Sequence, residues 1–400
     1  LILQRNKGQT TLREDSPEAI TYAKAGVDIN RANAVLDAIL PHCLATHDDL
    51  VVSGLGPFAS AVRIGPIVGS MEDPLLVQSA DGPGTGLQEA MDALRDLLRA
   101  QGTNEFVDDL LMRTMADGFA ILGYNNVLHG FADLACGGPW VVPTTVIDTI
   151  DSTDMDPFVH ELIVRGMMEA CLSFPADERP MIVGGECAQM KGTIVSGQYN
   201  FGITATGFID MKYALRPKQN TRPGNIVVGA ASNGIHLNGF SLQRMIRKSL
   251  GMSLYDSDVE NGLAEPFLTE LLRRQPNYAW IARQVAAAGI PIMAIAHITG
   301  GGLFDNNLRN LPDGCRMVID ASAWPIPPFM QWLVKMSNVP FDDAFSALNM
   351  GIGQTYTLAT HEDAEECVEY INGSLNANPS AWIIGEIVEG DCGVEINYPD

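Results

Sequence analysis

The run Ile226-Val227-Val228-Gly229-Ala230-Ala231-Ser232-Asn233-Gly234-Ile235-His236-Leu237-Asn238-Gly239 decides the fold class of this 400-residue chain. Its short β-branched opening reads as a buried strand, and the glycines behind it read as a turn. The next segment spaces Leu242, Met245, Ile246 and Leu250 as one helical face, which predicts a helix carrying all four inward. The same order recurs elsewhere. Leu75-Leu76-Val77 leads through Asp81-Gly82-Pro83-Gly84-Thr85-Gly86 into a helix with Leu87, Met91, Leu94 and Leu98 on one face, and Met181-Ile182-Val183 ends in Gly184-Gly185-Glu186. Strands that alternate with helices predict a mixed α/β protein.

Composition sets the outer limits. Hydrophobic residues make up 46% and charged residues 18%, which excludes a disordered chain. The length predicts two or three domains. A polar, proline-containing connector (Lys212, Arg216, Pro217, Lys218, Arg222, Pro223) separates two apolar halves. The expected division is an N-terminal extension over 1–20 and domains over 21–212 and 213–400. The 48 acidic against 25 basic residues leave a net charge of −23, a surface that repels nucleic acid and anionic membrane. No apolar run reaches the roughly 18 residues of a membrane helix. The seven cysteines are scattered without a CxxC pair, which predicts a reducing compartment and no metal-binding cysteine set. Leu1-Ile2-Leu3-Gln4-Arg5 has no signal-peptide layout and no initiator methionine. The expected location is the cytoplasm, or an organelle matrix or stroma after loss of a transit peptide.

Three glycine-rich segments have the composition to cradle phosphate: 81–86, 229–239 and 299–302. The second is the best case, because Arg244, Arg247 and Lys248 lie on the helix it opens. None matches a Walker A or GxGxxG pattern, and each serves equally well as a tight turn. Asp81, Asp133 and Glu186 at strand ends or loops offer the hard oxygen ligands that Mg²⁺ takes; singly, each is a cap or turn acid. His236 and His297 beside glycine turns are the acid–base candidates, with hydrogen-bonded structural histidines as the plain alternative. Late in the chain, Thr360 and Asp363 predict a capping box ahead of an apolar stripe of Ala364, Cys367, Val368 and Ile371, with Glu362, Glu365, Glu366 and Glu369 facing water.

Together these motifs resemble the aminoimidazole ribonucleotide (AIR) synthetase family, the phosphoribosylformylglycinamidine cyclo-ligases. The resemblance rests on Tyr22 with Ala25-Gly26-Val27-Asp28-Ile29, Gly54-Leu55-Gly56, Asp81-Gly82-Pro83-Gly84-Thr85, Gly184-Gly185-Glu186 and the 232–239 segment. It continues through His297-Ile298-Thr299-Gly300-Gly301-Gly302, Trp324-Pro325, Asn349-Met350-Gly351-Ile352-Gly353 and Trp382-Ile383-Ile384-Gly385. Order and spacing hold from about residue 20 to 390. The resemblance implies a two-domain fold, a homodimer whose interface is built from N-terminal strands, and closure of an imidazole ring on formylglycinamidine ribonucleotide (FGAM) with ATP and Mg²⁺. It implies Gly82, Gly84, Thr85, Asn238, Gly300 and Gly301 as cofactor-binding residues, with His236 and Asn238 on the substrate side.

Departures from the family pattern remove charge. Gly86 stands where the family has lysine, and Asp151-Ser152-Thr153-Asp154 where it has Ala-Thr-Gly-Lys. Asn125, Gln189 and Asn200 replace carboxylates, Ala132 replaces an asparagine, and Pro266-Phe267-Leu268 lacks an arginine. Losing one preorganised electrostatic donor costs about 10²–10³ in rate. The departures imply a homologue with lost or weakened cyclo-ligase activity, kept as a structural, assembly or regulatory subunit of a larger complex. The alternatives are an active cyclo-ligase with a rewired nucleotide site, or a binder of phosphorylated metabolites.

Overall fold

A computed structural model of the chain describes residues 29–54, 60–84, 86–100 and 117–398 except 374–379, with isolated positions between 100 and 117. The 1–20 extension, the 22–28 part of the opening motif, Gly56 and Thr85 lie outside the described residues.

The first half is built on a four-stranded sheet flanked by a short pair, β1 (Val51–Ser53) with β2 (Ala61–Val62). Its strands are β3 (Pro74–Asp81), β4 (Val142–Ser152), β5 (Met181–Gln189) and β6 (Tyr199–Asp210), in the spatial order β3-β6-β4-β5. β6 runs antiparallel to both neighbours, and β4 and β5 are parallel. Parallel neighbours need a crossover, which α4 (Pro157–Leu172) supplies. Before it come α1 (Ile29–Leu44), α2 (Gly86–Ala100) and α3 (Phe119–Cys136). Strand alternation sorts β4 cleanly: Val146, Asp148 and Ile150 face the helices, whereas Ile147 and Thr149 face outward. That outer face is open, with Leu76 57% and Ile147 41% exposed. β5 runs on through Gly184-Gly185-Glu186 instead of ending there, so Glu186 is a mid-strand residue.

α3 is apolar nearly all round and almost wholly buried, as a helix between two layers should be. Its crossing with α4 is close because Gly123 and Gly166 have no side chain. A Cβ at Gly166 would lie 1.8 Å from the Ala120 carbonyl oxygen, and one at Gly123 2.1 Å from that of Ile163.

Between Asp210 and Ile226 the chain passes to a second sheet of β7 (Ile226–Ala231), β8 (Ile292–His297), β9 (Cys315–Asp320), β10 (Ile352–Leu358), β11 (Ala381–Glu389) and β12 (Gly393–Asn397). Their order is β12-β9-β11-β7-β10-β8, antiparallel throughout except for β12 with β9. The helices of this half used below are α5 (Phe240–Ser249), α6 (Tyr278–Ala287), α7 (Gly302–Leu308) and α8 (His361–Gly373). The capping box of α8 forms: Thr360 N donates to Asp363 at 3.0 Å and Asp363 N to Thr360 Oγ1 at 3.1 Å, with Ala364, Cys367 and Ile371 buried behind it. α3 packs on both α6 and β8, so it belongs to the contact between the two sheets as well as to the first core.

One expectation fails in α5. Met245 is 65% exposed and Leu250 also lies outward, while Phe240, Gln243, Ile246 and Arg247 are buried. The cause is Glu89 of α2, which is fully buried and bonded to Arg244, and to Arg247 Nη2 at 3.1 Å. A buried carboxylate needs a partner. The helix therefore turns its arginine face inward at the expense of two apolar side chains.

Candidate active site

A cleft of about 480 Å³ opens where the two sheets meet. Asp81 comes to it at the end of β3, His297 at the end of β8, Asn238 from the loop before α5 and Thr299 from the loop before α7. α3 supplies His129 and Asp133. With Asn126 they stand at i, i+3 and i+7 on an otherwise apolar helix, one polar stripe aimed at the second sheet.

The four ionisable groups form two pairs. His297 Nδ1 lies 2.8 Å from Asp133 Oδ1, and Ser79 Oγ donates to the other Asp133 oxygen at 3.0 Å. His129 Nε2 lies 3.2 Å from Asp81 Oδ2, and its Nδ1 lies 3.2 Å from the Gln275 amide. The two imidazoles sit with ring centroids 4.2 Å apart and planes tilted by 59°. Burial, aided by the charge of His129, pushes His297 down to about 4 against the pull of Asp133. At neutral pH His297 is therefore neutral, donating from Nδ1 and leaving Nε2 as an acceptor. Nε2 is buried with no hydrogen-bond partner among the described residues. Burial would raise the Asp133 carboxyl, but the bond from His297, the neighbouring imidazoles and Ser79 outweigh it and hold it below the ordinary value. Burial wins at Asp81, which lies above the ordinary carboxylate value despite His129 and the bond from Gly82 N at 2.7 Å.

Both glycine loops are braced by side chains. Asn306 Nδ2 donates to the Gly302 carbonyl at 2.8 Å and lies 3.3 Å from those of Thr299 and Gly300. Asn349 Nδ2 donates to the Gly234 carbonyl at 2.9 Å and its Oδ1 accepts from Ser232 Oγ at 2.9 Å. Gly300 lies against Asn238, bringing the two loops together. Gly301 sets the left-handed turn (φ 91°) that opens α7.

Not every expected site residue reaches this cleft. His236 is 1% exposed and its ring packs on Tyr278, 5.8 Å between centroids. Its Nε2 accepts from Asn233 N at 3.4 Å, and burial holds its titration well below the usual value. It is a neutral structural histidine rather than an acid–base group in the cleft. The acidic trio also separates. Glu186 on β5 stands three strands from Asp81 on β3, about 14 Å at normal strand spacing. Among the described residues no three Asp, Glu, His or Cys side chains meet to hold a metal ion. The expected basic helix is not free for phosphate either, because Arg244 and Arg247 bind Glu89.

Glu186 instead lines a larger cavity, about 1050 Å³, between α1 and the first sheet, together with Asp37, Asp81, Asp148, Gly82, Gly184, Thr149 and Asn200. Asp81 borders both spaces. Asp148 is buried deeply enough to be pushed up to about 7. The oxygen donors here suit a hard divalent cation. No Lys or Arg is among the described residues that line this cavity. Gly84 follows it on the exposed side of the loop.

Several departures have structural reasons. A Cβ at Gly86 would lie 2.7 Å from the Phe240 ring, so that ring fills the space a lysine would need. Asn125 donates from Nδ2 to the Arg273 carbonyl at 2.8 Å and accepts from Gln275 N at 2.7 Å, a two-way brace that no carboxylate can make. Sequence reasoning passed over His129, Glu89 and Arg309, which also lines the cleft. The i, i+3, i+7 polar stripe on α3 was the available signal for the first.

The two sheets and the helices between them define the AIR-synthase-like fold class. Thiamine-monophosphate kinase from Stenotrophomonas maltophilia K279a shares this fold, with a TM-score of 0.59 at 16% identity over 91% of this chain and 96% of that one. So does HypE from E. coli, at 0.58 and 14% over 92% and 93%. A hydrogenase maturation protein HypE solved in complex with ATP matches at 0.57 and 14%, covering 94% and 92%. The AIR synthase related protein, C-terminal domain, family matches residues 222–397. Phosphoribosylformylglycinamidine cyclo-ligase of Parasynechococcus marenigrum is 30% identical over 374 residues, 92% of this chain and 96% of that protein. That of Thermosynechococcus vestitus is 31% identical over 370 residues, with 92% and 96% covered. The chain belongs to the phosphoribosylformylglycinamidine cyclo-ligase (AIR synthetase) family.

Proposed function

We propose that the chain is an ATP-dependent cyclo-ligase that converts FGAM and ATP to AIR, ADP and phosphate. The observation that carries this reading is the Asp133–His297 pair, whose neutral imidazole presents an unpartnered Nε2 in a cleft between two braced glycine loops. Relatives named for this reaction match over more than nine-tenths of the chain, which supports activity rather than the loss expected from the missing cations.

ATP supplies the phosphoryl group that makes the formyl oxygen a leaving group, and Mg²⁺ would neutralise its phosphates. The 1050 Å³ cavity with Gly82 and Asp81 is the proposed nucleotide side, with Gly84 next in the same loop, and the 480 Å³ cleft with Asn238 and Thr299 the substrate side, Gly300 and Gly301 following Thr299 in its loop. When the amidine nitrogen attacks the activated formyl carbon it must lose a proton. His297 Nε2 is placed to take it, and Asp133, held ionised, stabilises the imidazolium that results. Asp81, which borders both spaces, is the carboxylate proposed to meet a divalent ion; Asp133 and Glu186 do not share that ion with it. The open face around Leu76 and Ile147 is the proposed homodimer surface, and domains over 21–212 and 213–400 are the proposed division.

A second reading, a structural or regulatory subunit with weak turnover, draws on the absence of Lys and Arg from the described lining of the larger cavity and on the capture of Arg244 and Arg247 by Glu89. Incubating the protein with FGAM and MgATP and measuring AIR and phosphate separates the two. Turnover that falls about 10²–10⁴-fold in His297→Asn supports the first. Wild-type protein that releases neither product establishes the second.

A further inference from the structure

Arginines in this strongly acidic chain are mostly spent on carboxylates. Arg244 and Arg247 bind Glu89, Arg273 binds Glu270, Arg274 binds Glu169, Arg283 binds Glu178 and Arg316 binds Glu395. Arg309 differs. It follows the last turn of α7, is exposed, and lines the interdomain cleft without a hydrogen-bond or ion-pair partner among the described residues, although Asp81 and Asp133 line the same cleft. It is also the sole Lys or Arg among the described residues of that lining. It shares this lining with Cys136, at the C-terminal end of α3.

Two further groups in this lining lack partners. Asn238 Nδ2 is buried and has no hydrogen-bond partner among the described residues, and neither has Nε2 of His297, a residue 4% exposed. Buried donors and acceptors are rarely left so, and an orphaned amide in the same cleft as an unpaired guanidinium is what an absent anion leaves behind. A dianion entering this cleft is repelled by Asp81 and Asp133, and Arg309 is the one Lys or Arg in the described lining to attract it. We propose that Arg309 anchors the phosphate of a phosphate-monoester substrate, with the Asn238 amide as a second donor, so that the rest of the molecule extends toward His297. A guanidinium fits this task better than an ammonium, because its planar fork meets two phosphate oxygens at once.

This assignment rests on the cyclo-ligase reading for the identity of the ester, but not for the binding itself, so two measurements keep them apart. The first is thermal stabilisation of the full chain by ribose 5-phosphate, with ribose and inorganic phosphate as controls. Wild type should be stabilised in a dose-dependent way by ribose 5-phosphate and not by ribose. Arg309→Gln should weaken the response about 10- to 100-fold, with Arg309→Lys between the two. The second is steady-state turnover, where Arg309→Gln should raise KM for FGAM by the same factor and leave KM for ATP unchanged. No ribose 5-phosphate response in wild type, or one undiminished in Arg309→Gln, overturns the proposal. So does an equal fall in affinity for both substrates, the mark of a merely structural arginine. If wild type makes no AIR yet its ribose 5-phosphate response depends on Arg309, the phosphate site stands and the cyclo-ligase reading falls. If wild type makes AIR and Arg309→Gln keeps the wild-type KM for FGAM, the reverse holds.

Discussion

Replacing Glu89 by alanine should be among the most damaging single changes available outside the cleft. Its carboxylate is fully buried and bonded to Arg244, whose side chain is 20% exposed, and to Arg247, which is 8% exposed. Removing the shared acid leaves two guanidinium groups with little water and no counter-charge. Breaking a buried pair in this way costs about 3–5 kcal/mol. Set against a total stability of about 5–15 kcal/mol, that is a large fraction. For a domain of this size it lowers the melting temperature by roughly 6–20 °C. The loss should spread to both glycine loops, because α2 follows the loop after β3 and α5 follows 232–239. Tyr255 Oη, donating to the Ala93 carbonyl at 2.7 Å, ties the same two halves. Calorimetry of Glu89→Ala is the direct assay. A triple variant, Glu89→Leu with Arg244→Leu and Arg247→Met, should recover most of the loss, since apolar packing commonly replaces a buried ion cluster without penalty. Glu89→Ala melting within 2 °C of wild type, or a triple variant no better than the single, would refute the clamp.

Asp148 gives a pH signature. Its folded value of about 7 lies above the unfolded carboxylate value near 3.9, so the folded state holds the extra proton and stability falls as pH rises between about 4 and 7. Asp148→Asn should flatten that slope and gain about 4 kcal/mol, to order of magnitude, at pH 8 with no gain at pH 4; parallel pH–stability curves for the two proteins would refute the assignment. Gly166→Ala should cost about 3 kcal/mol by forcing α3 and α4 apart, read as a lower denaturation midpoint, whereas Gly289→Ala, with nothing near its Cβ, tests only backbone strain. Leu76→Asp on the open sheet face should turn a dimer into a monomer by light scattering while leaving the fold intact by circular dichroism; an unchanged mass would place the interface elsewhere.

The strand at 226–231, the start of the one at Met181, the glycine turns before α5 and α7 and the α8 capping box were legible because each depends on neighbours in sequence: β-branched runs, left-handed turns, a threonine three residues before an aspartate. The family was legible for the same reason, since its motifs are short loops of fixed spacing. What α5 buries was not. Helical spacing put Met245 and Leu250 inside, and the folded chain put Gln243 and Arg247 there, because an acid more than 150 positions earlier lies beneath that helix.

The same division runs through the site. The sequence by itself determined that His297 and Asp81 stand beside glycine turns. Tertiary packing alone decided that Asp133 and His129 complete them from a helix, that Glu186 is carried three strands away, and that His236 is sealed against Tyr278. It also decided which arginines remain to meet a ligand. Charge pairing is a matter of distance in space, and a linear chain carries no record of which buried carboxylate will reach which guanidinium first.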